Sequence, residues 1–163
     1  MYKYSRKELS KISKDMLKRR GVTLEDIGEL VMYLQAQYYD DLTLEHCIEN
    51  LEEVLKKREI AHAILTGIAL DELAEKELLP QPLQSIVSSD ESLYGIDEII
   101  PLSIVNVYGT IGLTNFGYLD KEKIGIIKDI DERKNDECNT FLDDLVAALA
   151  AATASRIAHS MTD

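Results

Sequence analysis

The stretch Thr140-Phe141-Leu142-Asp143-Asp144-Leu145-Val146-Ala147-Ala148-Leu149-Ala150-Ala151-Ala152-Thr153-Ala154-Ser155-Arg156-Ile157-Ala158-His159 decides the fold. Its larger apolar residues, Leu142, Leu145, Val146, Leu149 and Ile157, recur at helical spacing. Most positions between them are alanine. A helix that is small and apolar nearly all round has no solvated face, so it belongs inside a bundle. The spacing predicts a buried central helix over 141–159 near the carboxyl end, and with it an all-α helical bundle.

Two carboxylates stand at the mouth of this helix. Thr140 followed by Asp143 has the form of a capping box, with Thr140 as N-cap. Asp143 and Asp144 in the first turn also suit the positive end of the helix dipole. The same pair could instead bind a hard cation through oxygen. The residues alone leave both readings open.

Working outward, a chain of 163 residues with 45% hydrophobic residues fits one domain over 1–163 with a real core. The least charged run, Ile99 to Asn115, contains Pro101 and Asn106 and is too short and polar for a membrane span. The start, Met1-Tyr2-Lys3-Tyr4-Ser5-Arg6, has no apolar leader-type stretch, and the expected compartment is the cytoplasm. Cys47 and Cys138 lack zinc-site spacing and are expected as free thiols.

A net charge of −12 argues against nucleic acid as a partner. The charge is uneven: residues 1–20 carry eight Lys or Arg against Glu8 and Asp15, a net of +6, and the remainder carries −18. This basic segment reads as a helix over 6–20, peripheral to the core. It could lie on an anionic membrane surface, or pair with the acidic body of its own or a neighbouring subunit.

Thr23-Leu24-Glu25-Asp26 opens a second helix, again in capping-box form. A long helical tract is expected from Glu45 to about Glu77, with Gly67 marking a close contact or a kink. Pro80 and Pro82 end it, and a short helix follows around Leu83-Ile86-Val87. Tyr94-Gly95-Ile96-Asp97-Glu98-Ile99-Ile100 sets adjacent acids between isoleucines, a costly arrangement unless the acids are paired or hold a cation. Alternatively, Asp97 caps a helix and Glu98 reaches solvent. Ile99 to Tyr108 reads as a buried helix with Pro101 near its first turn. Gly109, Gly112 and Gly117 suggest a loop lining a site, and Asp129 to Asn139 a charged loop.

The motifs Asp97-Glu98, Leu119-Asp120-x-x-Lys123 and Leu142-Asp143-Asp144-Leu145-Val146-Ala147 resemble those of the phosphatidylglycerophosphatase A family. The chain looks most like its soluble, YutG-like branch. That likeness extends through Ala63-Ile64-Leu65-Thr66-Gly67-Ile68, Ser103-Ile104-Val105-Asn106-Val107-Tyr108-Gly109 and Thr114-Asn115-Phe116-Gly117-Tyr118. The resemblance implies an all-α bundle and Mg²⁺-dependent removal of the phosphomonoester from phosphatidylglycerophosphate, with Mn²⁺ as the other candidate ion. Carried over by position, Asp97, Glu98, Asp143 and Asp144 form the metal-binding set. Asp120 and Lys123 form the accompanying catalytic motif: Lys123 binds phosphate as a point charge and Asp120 orients it or acts as base. The chain departs from the membrane-bound enzymes in having Gly117 where they carry arginine, and Ile124 where a proline follows the lysine.

The expected function is therefore a metal-dependent phosphomonoester hydrolase in phosphatidylglycerol synthesis, peripheral at the inner face of the membrane. One alternative is a phosphatase for a soluble phosphomonoester. The other is a non-catalytic helical interaction protein that keeps the fold and a structural ion. A homo-oligomer is expected in either case.

Overall fold

The computed structural model describes residues 3–133 and 137–160. Among these the chain is all-α, with nine helices and no strand. In order they are α1 (Arg6–Arg19), α2 (Leu24–Gln35), α3 (Leu44–Leu55), α4 (Arg58–Glu75), α5 (Leu83–Ser88), α6 (Ile96–Val105), α7 (Thr110–Glu122), α8 (Ile126–Glu132) and α9 (Leu142–Ser160).

The alanine-rich α9 is the axis of the molecule. Fifteen of its nineteen residues are buried, and α2, α3, α4, α6, α7 and α8 pack around it. Small side chains let its neighbours come close. At Gly67 a β-carbon would stand 2.8 Å from Leu145 Cδ1 and 3.2 Å from Phe141 Cβ. Gly67 thus marks a close contact, where α4 presses against the start of α9.

The expected tract from Glu45 to Glu77 is two helices. Lys57 is extended, with ψ 132°, and separates α3 from α4. Residues five apart on one continuous helix point about 140° away from each other. The break lets Leu55 and Ile60, both fully buried, face the same core.

Three further expectations are corrected. The glycine-bearing stretch after Gly109 is helical. Gly112 sits where α7 crosses Val105 and Ser155, and Gly117 is tolerated within the helix at a cost of about 1 kcal/mol. The helix bearing Pro101 starts earlier than expected, at Ile96, so the proline lies inside it. That helix is also less buried than expected: only Pro101, Ile104 and Val105 are buried, and Ile99 is 58% exposed. Of the charged loop foreseen over 129–139, residues 129–132 belong to α8, and 134–136 lie outside the described residues.

The basic α1 is an integral outer layer. Leu9, Met16 and Leu17 are buried, and the helix packs on α4 and α3. Lys14 pairs with Glu52 at 2.9 Å, Arg19 with Glu72 at 2.7 Å and Arg20 with Glu75 at 2.6 Å. Of the two readings of this helix, the one the structure realises is pairing with the acidic body of its own chain.

Candidate active site

Four contacts fix how α6 and α7 lie against α9. The Tyr94 ring meets Phe141 edge-on at 6.0 Å, and the Ser155 hydroxyl donates to the Tyr108 carbonyl at 2.9 Å. α6 therefore runs parallel to α9. The Lys123 ammonium reaches Asp143 while Gly112 lies by Ser155, so α7 runs antiparallel. As a result the start of α6, the end of α7 and the start of α9 meet at one end of the bundle. Asp97, Asp120, Lys123, Asp143 and Asp144 all belong to that end.

The centre is Lys123. It closes α7 with φ +46°, a left-handed conformation that ends helices but is unusual for a side chain of this size. Its ammonium donates to Asp143 Oδ2 at 2.6 Å and to Asp120 Oδ1 at 3.1 Å. The half-buried ammonium lies between carboxylates and its pKa is well above the ordinary lysine value; desolvation opposes the rise, and Asp143, Asp120 and Asp144 drive it.

Asp143 and Asp144 are both buried. Burial pushes the Asp143 carboxyl up, against the pull of Lys123. Asp144 rises further, to about 9, because burial is joined by the charges of Asp143 and Asp120. Its Oδ1 is buried without a hydrogen-bond partner, and so is Asp97 Oδ1. Pro101 also lacks the N–H that would bond the Asp97 carbonyl one turn back. Glu98 is exposed, as are the flanking Ile96 and Ile99, so Glu98 reaches solvent as the alternative reading has it; the capping role that reading gave Asp97 is corrected, since Gly95 is the N-cap and Asp97 makes no cap bond.

The capping role expected of Thr140 belongs elsewhere. Phe141 occupies the N-cap position, accepting the first helical bond from Leu145 N–H, and its side chain has no acceptor. The Thr140 hydroxyl donates instead to the Val87 carbonyl at 2.7 Å. The cap is Asp71 of α4, whose carboxylate accepts from Phe141 N–H at 3.0 Å and Leu142 N–H at 3.0 Å. Burial raises Asp71 to about 8 against those two donors and Arg20.

Arg20 steadies the segment leading into α9. Its guanidinium is buried and donates to Glu75, to the Cys138 carbonyl at 2.8 Å and to Asn139 Oδ1 at 2.9 Å. Sequence reasoning missed Asp71, Arg20 and Glu75. The signal for Asp71 was its register: it follows Ile60, Ile64 and Ile68 on the buried stripe of α4. Beside this end lies a cleft of about 300 Å³ lined by Ser89, Asp90, Asp131, Arg133, Asn139 and Asp143, so Asp143 lies between the cleft and Lys123.

Do these residues fit a hard divalent cation? Among the described residues no three His, Cys, Asp or Glu converge closely enough to hold an ion by themselves. Mg²⁺, however, is commonly held by one or two carboxylates plus substrate phosphate. The two buried, unpartnered oxygens of Asp97 and Asp144 fit that role, and Asp143 adjoins them in sequence. Glu98 stands exposed beside them.

Residues 16–159 match the family model described as phosphatidylglycerophosphatase A. YpjQ of Bacillus subtilis, an uncharacterized protein, is 66% identical over the whole of this chain and 92% of its own length. YutG of the same organism is 55% identical over 88% of this chain and 86% of its own. The crystal structure of YpjQ superposes with a TM-score of 0.93, covering 98% of this chain and 99% of that one. The low temperature requirement C protein of Listeria monocytogenes, 55% identical, superposes with a TM-score of 0.92 over 95% of this chain and 98% of its own. No described helix is long and apolar enough to cross a membrane. The chain belongs to the phosphatidylglycerophosphatase A family.

Proposed function

We propose that this chain is a Mg²⁺-dependent phosphomonoester hydrolase whose substrate is phosphatidylglycerophosphate. One observation carries the reading: an ammonium, Lys123, is held between Asp120 and Asp143 where α6, α7 and α9 meet, next to buried carboxylate oxygens that have no partner.

Asp97 and Asp144 would hold the ion, with Asp143 beside them; Mn²⁺ satisfies the same oxygen donors. When bound, the metal neutralises phosphoryl charge and lowers the pKa of water. The protein's own groups do the rest. Lys123, kept protonated by its two carboxylates, donates a hydrogen bond to a phosphoryl oxygen. Asp120 fixes the direction of that ammonium and accepts the proton of the attacking water at its carboxylate. Asp143 shares Lys123 with Asp120 and so sets the position of the charge. Arg20 and Asp71 keep the start of α9 in place.

A lipid substrate brings acyl chains, and the surface beside Asp97 suits them. Leu93 is fully exposed and Ile96 and Ile99 are largely so, forming an apolar row at the start of α6. Because Lys14 and Arg19 of α1, and Arg20 just after it, are paired with the chain's own acids, that row is the better docking element at the inner face of the membrane. The same row, continued by Ile111 and Leu113 of α7, favours a second reading: a homo-oligomeric interaction module, with or without activity.

The test compares substrates. Wild-type protein with Mg²⁺ should release phosphate from phosphatidylglycerophosphate in mixed micelles faster than from glycerol phosphate. Faster release from glycerol phosphate would move the substrate to the soluble class. No release from either, by folded protein in excess Mg²⁺ or Mn²⁺, would leave the interaction module.

A further inference from the structure

The opposite end of α9 carries chemistry that the carboxylate end does not use. There α1 begins, α3 hands over to α4, and Arg156 stands in the last turns of α9. Arg6, Lys56, Lys57, Arg58 and Arg156, with Glu53 and Glu59, line a cavity of about 470 Å³. Five cations against two acids make it net +3 in a chain whose net charge is −12.

Some of these charges are engaged. Lys56 pairs with Glu53, and the Lys57 ammonium lies 5.5 Å from the centre of the Tyr108 ring. Arg156 is different. Its Nε is buried without a hydrogen-bond partner, and the charge it feels from within the cavity is that of Glu53, which Lys56 already holds. The hydroxyl of Tyr108 is likewise buried and unpartnered, and it lies within the field of Arg156. A buried guanidinium donor without an acceptor is costly, and an anion in the cavity that Arg156 lines would satisfy it. α4 also begins here with no side-chain cap at Lys57, so the positive end of an 18-residue helix opens on the same place.

We infer that this cavity binds a phosphate-bearing anion. Arg156 supplies the planar donor fork, Lys57 a second charge, and the first turn of α4 its main-chain N–H groups. Arg156 is thirteen residues along α9 from Asp143, about 20 Å at the helical rise. One phosphate cannot touch both ends, so this is a separate site. The ligand is a free polyphosphate or the phosphate of a lipid headgroup; the chemistry that recognises either is the same.

The experiment is a titration of the full chain with inorganic pyrophosphate, followed by amide and arginine side-chain NMR shifts. Shifts should concentrate at Arg6, at Lys57 to Ala61 and at the Arg156 Nε–H, and weaken as salt is raised. Arg156→Gln and, separately, Lys57→Gln should each weaken binding about tenfold or more. Lys57 is exposed, so its variant tests the site even if Arg156→Gln does not fold. Pyrophosphate shifts confined to the Lys123–Asp143 end, no shifts at all, or unchanged affinity in Lys57→Gln would overturn the assignment. A parallel arm asks whether the protein cosediments with vesicles of phosphatidylcholine and phosphatidylglycerol. Cosedimentation lost in the same variants supports the site and assigns the phosphate to lipid. Pyrophosphate binding without cosedimentation supports it and assigns a free anion.

Discussion

The two ends of α9 handle charge in opposite ways. At its start, acids are gathered around one lysine and buried; at its finish, cations gather around a wide cavity with exposed walls. Helix polarity favours both arrangements, since the N-terminal end attracts negative charge and the C-terminal end positive charge. The difference is in desolvation. Asp71, Asp143 and Asp144 have lost most of their water, so their carboxyls resist ionising even beside Lys123 and Arg20. The basic end keeps its solvent, and only Arg156 Nε and the Tyr108 hydroxyl are stranded. Burial therefore holds the carboxyls of the acidic end back from ionising, while the basic end stays open to solvent.

Breaking the acidic end should cost most where an acid supports the backbone. Asp71→Ala removes the cap of α9 and leaves the Phe141 and Leu142 N–H groups buried without acceptors. The expected loss is about 3 kcal/mol of stability, read as a lower urea midpoint. Thr140→Val should cost less, about 1 kcal/mol, because it removes the bond to the Val87 carbonyl and a long, weak one with Cys138 Sγ but leaves the N–H groups at the start of α9 capped. A larger loss at Thr140 than at Asp71 would return the capping role to the threonine.

Asp144→Asn should act in the opposite direction. In metal-free buffer the folded chain keeps protons on Asp71 and Asp144 up to about pH 8 and 9. The unfolded chain releases them near pH 4. A raised folded-state pKa contributes stability that is complete below the unfolded value and lost as pH rises through the folded one. Lys123, also raised, adds a loss of the same sign further into alkaline pH. The melting temperature should thus fall from about pH 5 to about pH 9. Asp144→Asn should flatten that fall and stabilise the protein by roughly 1 to 4 kcal/mol near neutrality. A pH-independent melting curve would show the carboxyls to be ionised throughout.

The smallest effect belongs to the solvated surface between the two ends. Lys14→Ala breaks its half-exposed pair with Glu52 and should cost under about 1 kcal/mol, shrinking further in high salt. A loss as large as that of Asp71→Ala would show that α1 is held by its charges and not by Leu9, Met16 and Leu17.

The same contrast explains what could be read from the sequence. The alanine-rich run after Asp144 declared a buried helix because composition alone excludes a solvated face. The Thr23 cap was legible because both partners lie within three residues: Asp26 N–H donates to the Thr23 hydroxyl at 3.1 Å, and the Asp26 carboxylate accepts from Thr23 N–H. Thr140 offered the same local signal, yet Asp71, about seventy residues earlier, took the position. A local pattern shows what a residue can do, not which distant partner competes for it. The break at Lys57 was hidden because lysine and arginine suit a helix; only the need to bury both Leu55 and Ile60 imposes it. Glycines made α7 look like a loop, although Gly112 is a packing residue against Val105 and Ser155. At the candidate site, Asp120, Lys123 and Asp143 were foreseen through their family motifs and do meet. Arg20 and Glu75 were not, since nothing local distinguishes them from the surface charges around them.

On the proposed function, the Lys123 cluster at the start of α9 performs hydrolysis. Its most direct test is Mg²⁺-dependent phosphate release from phosphatidylglycerophosphate by wild type and by Asp143→Ala, with melting curves confirming that both are folded. Metal-dependent release by the wild type, reduced about a thousandfold or more in the variant, is the predicted result. Equal release by the two proteins would contradict it, and would move the chemistry away from this end of the helix.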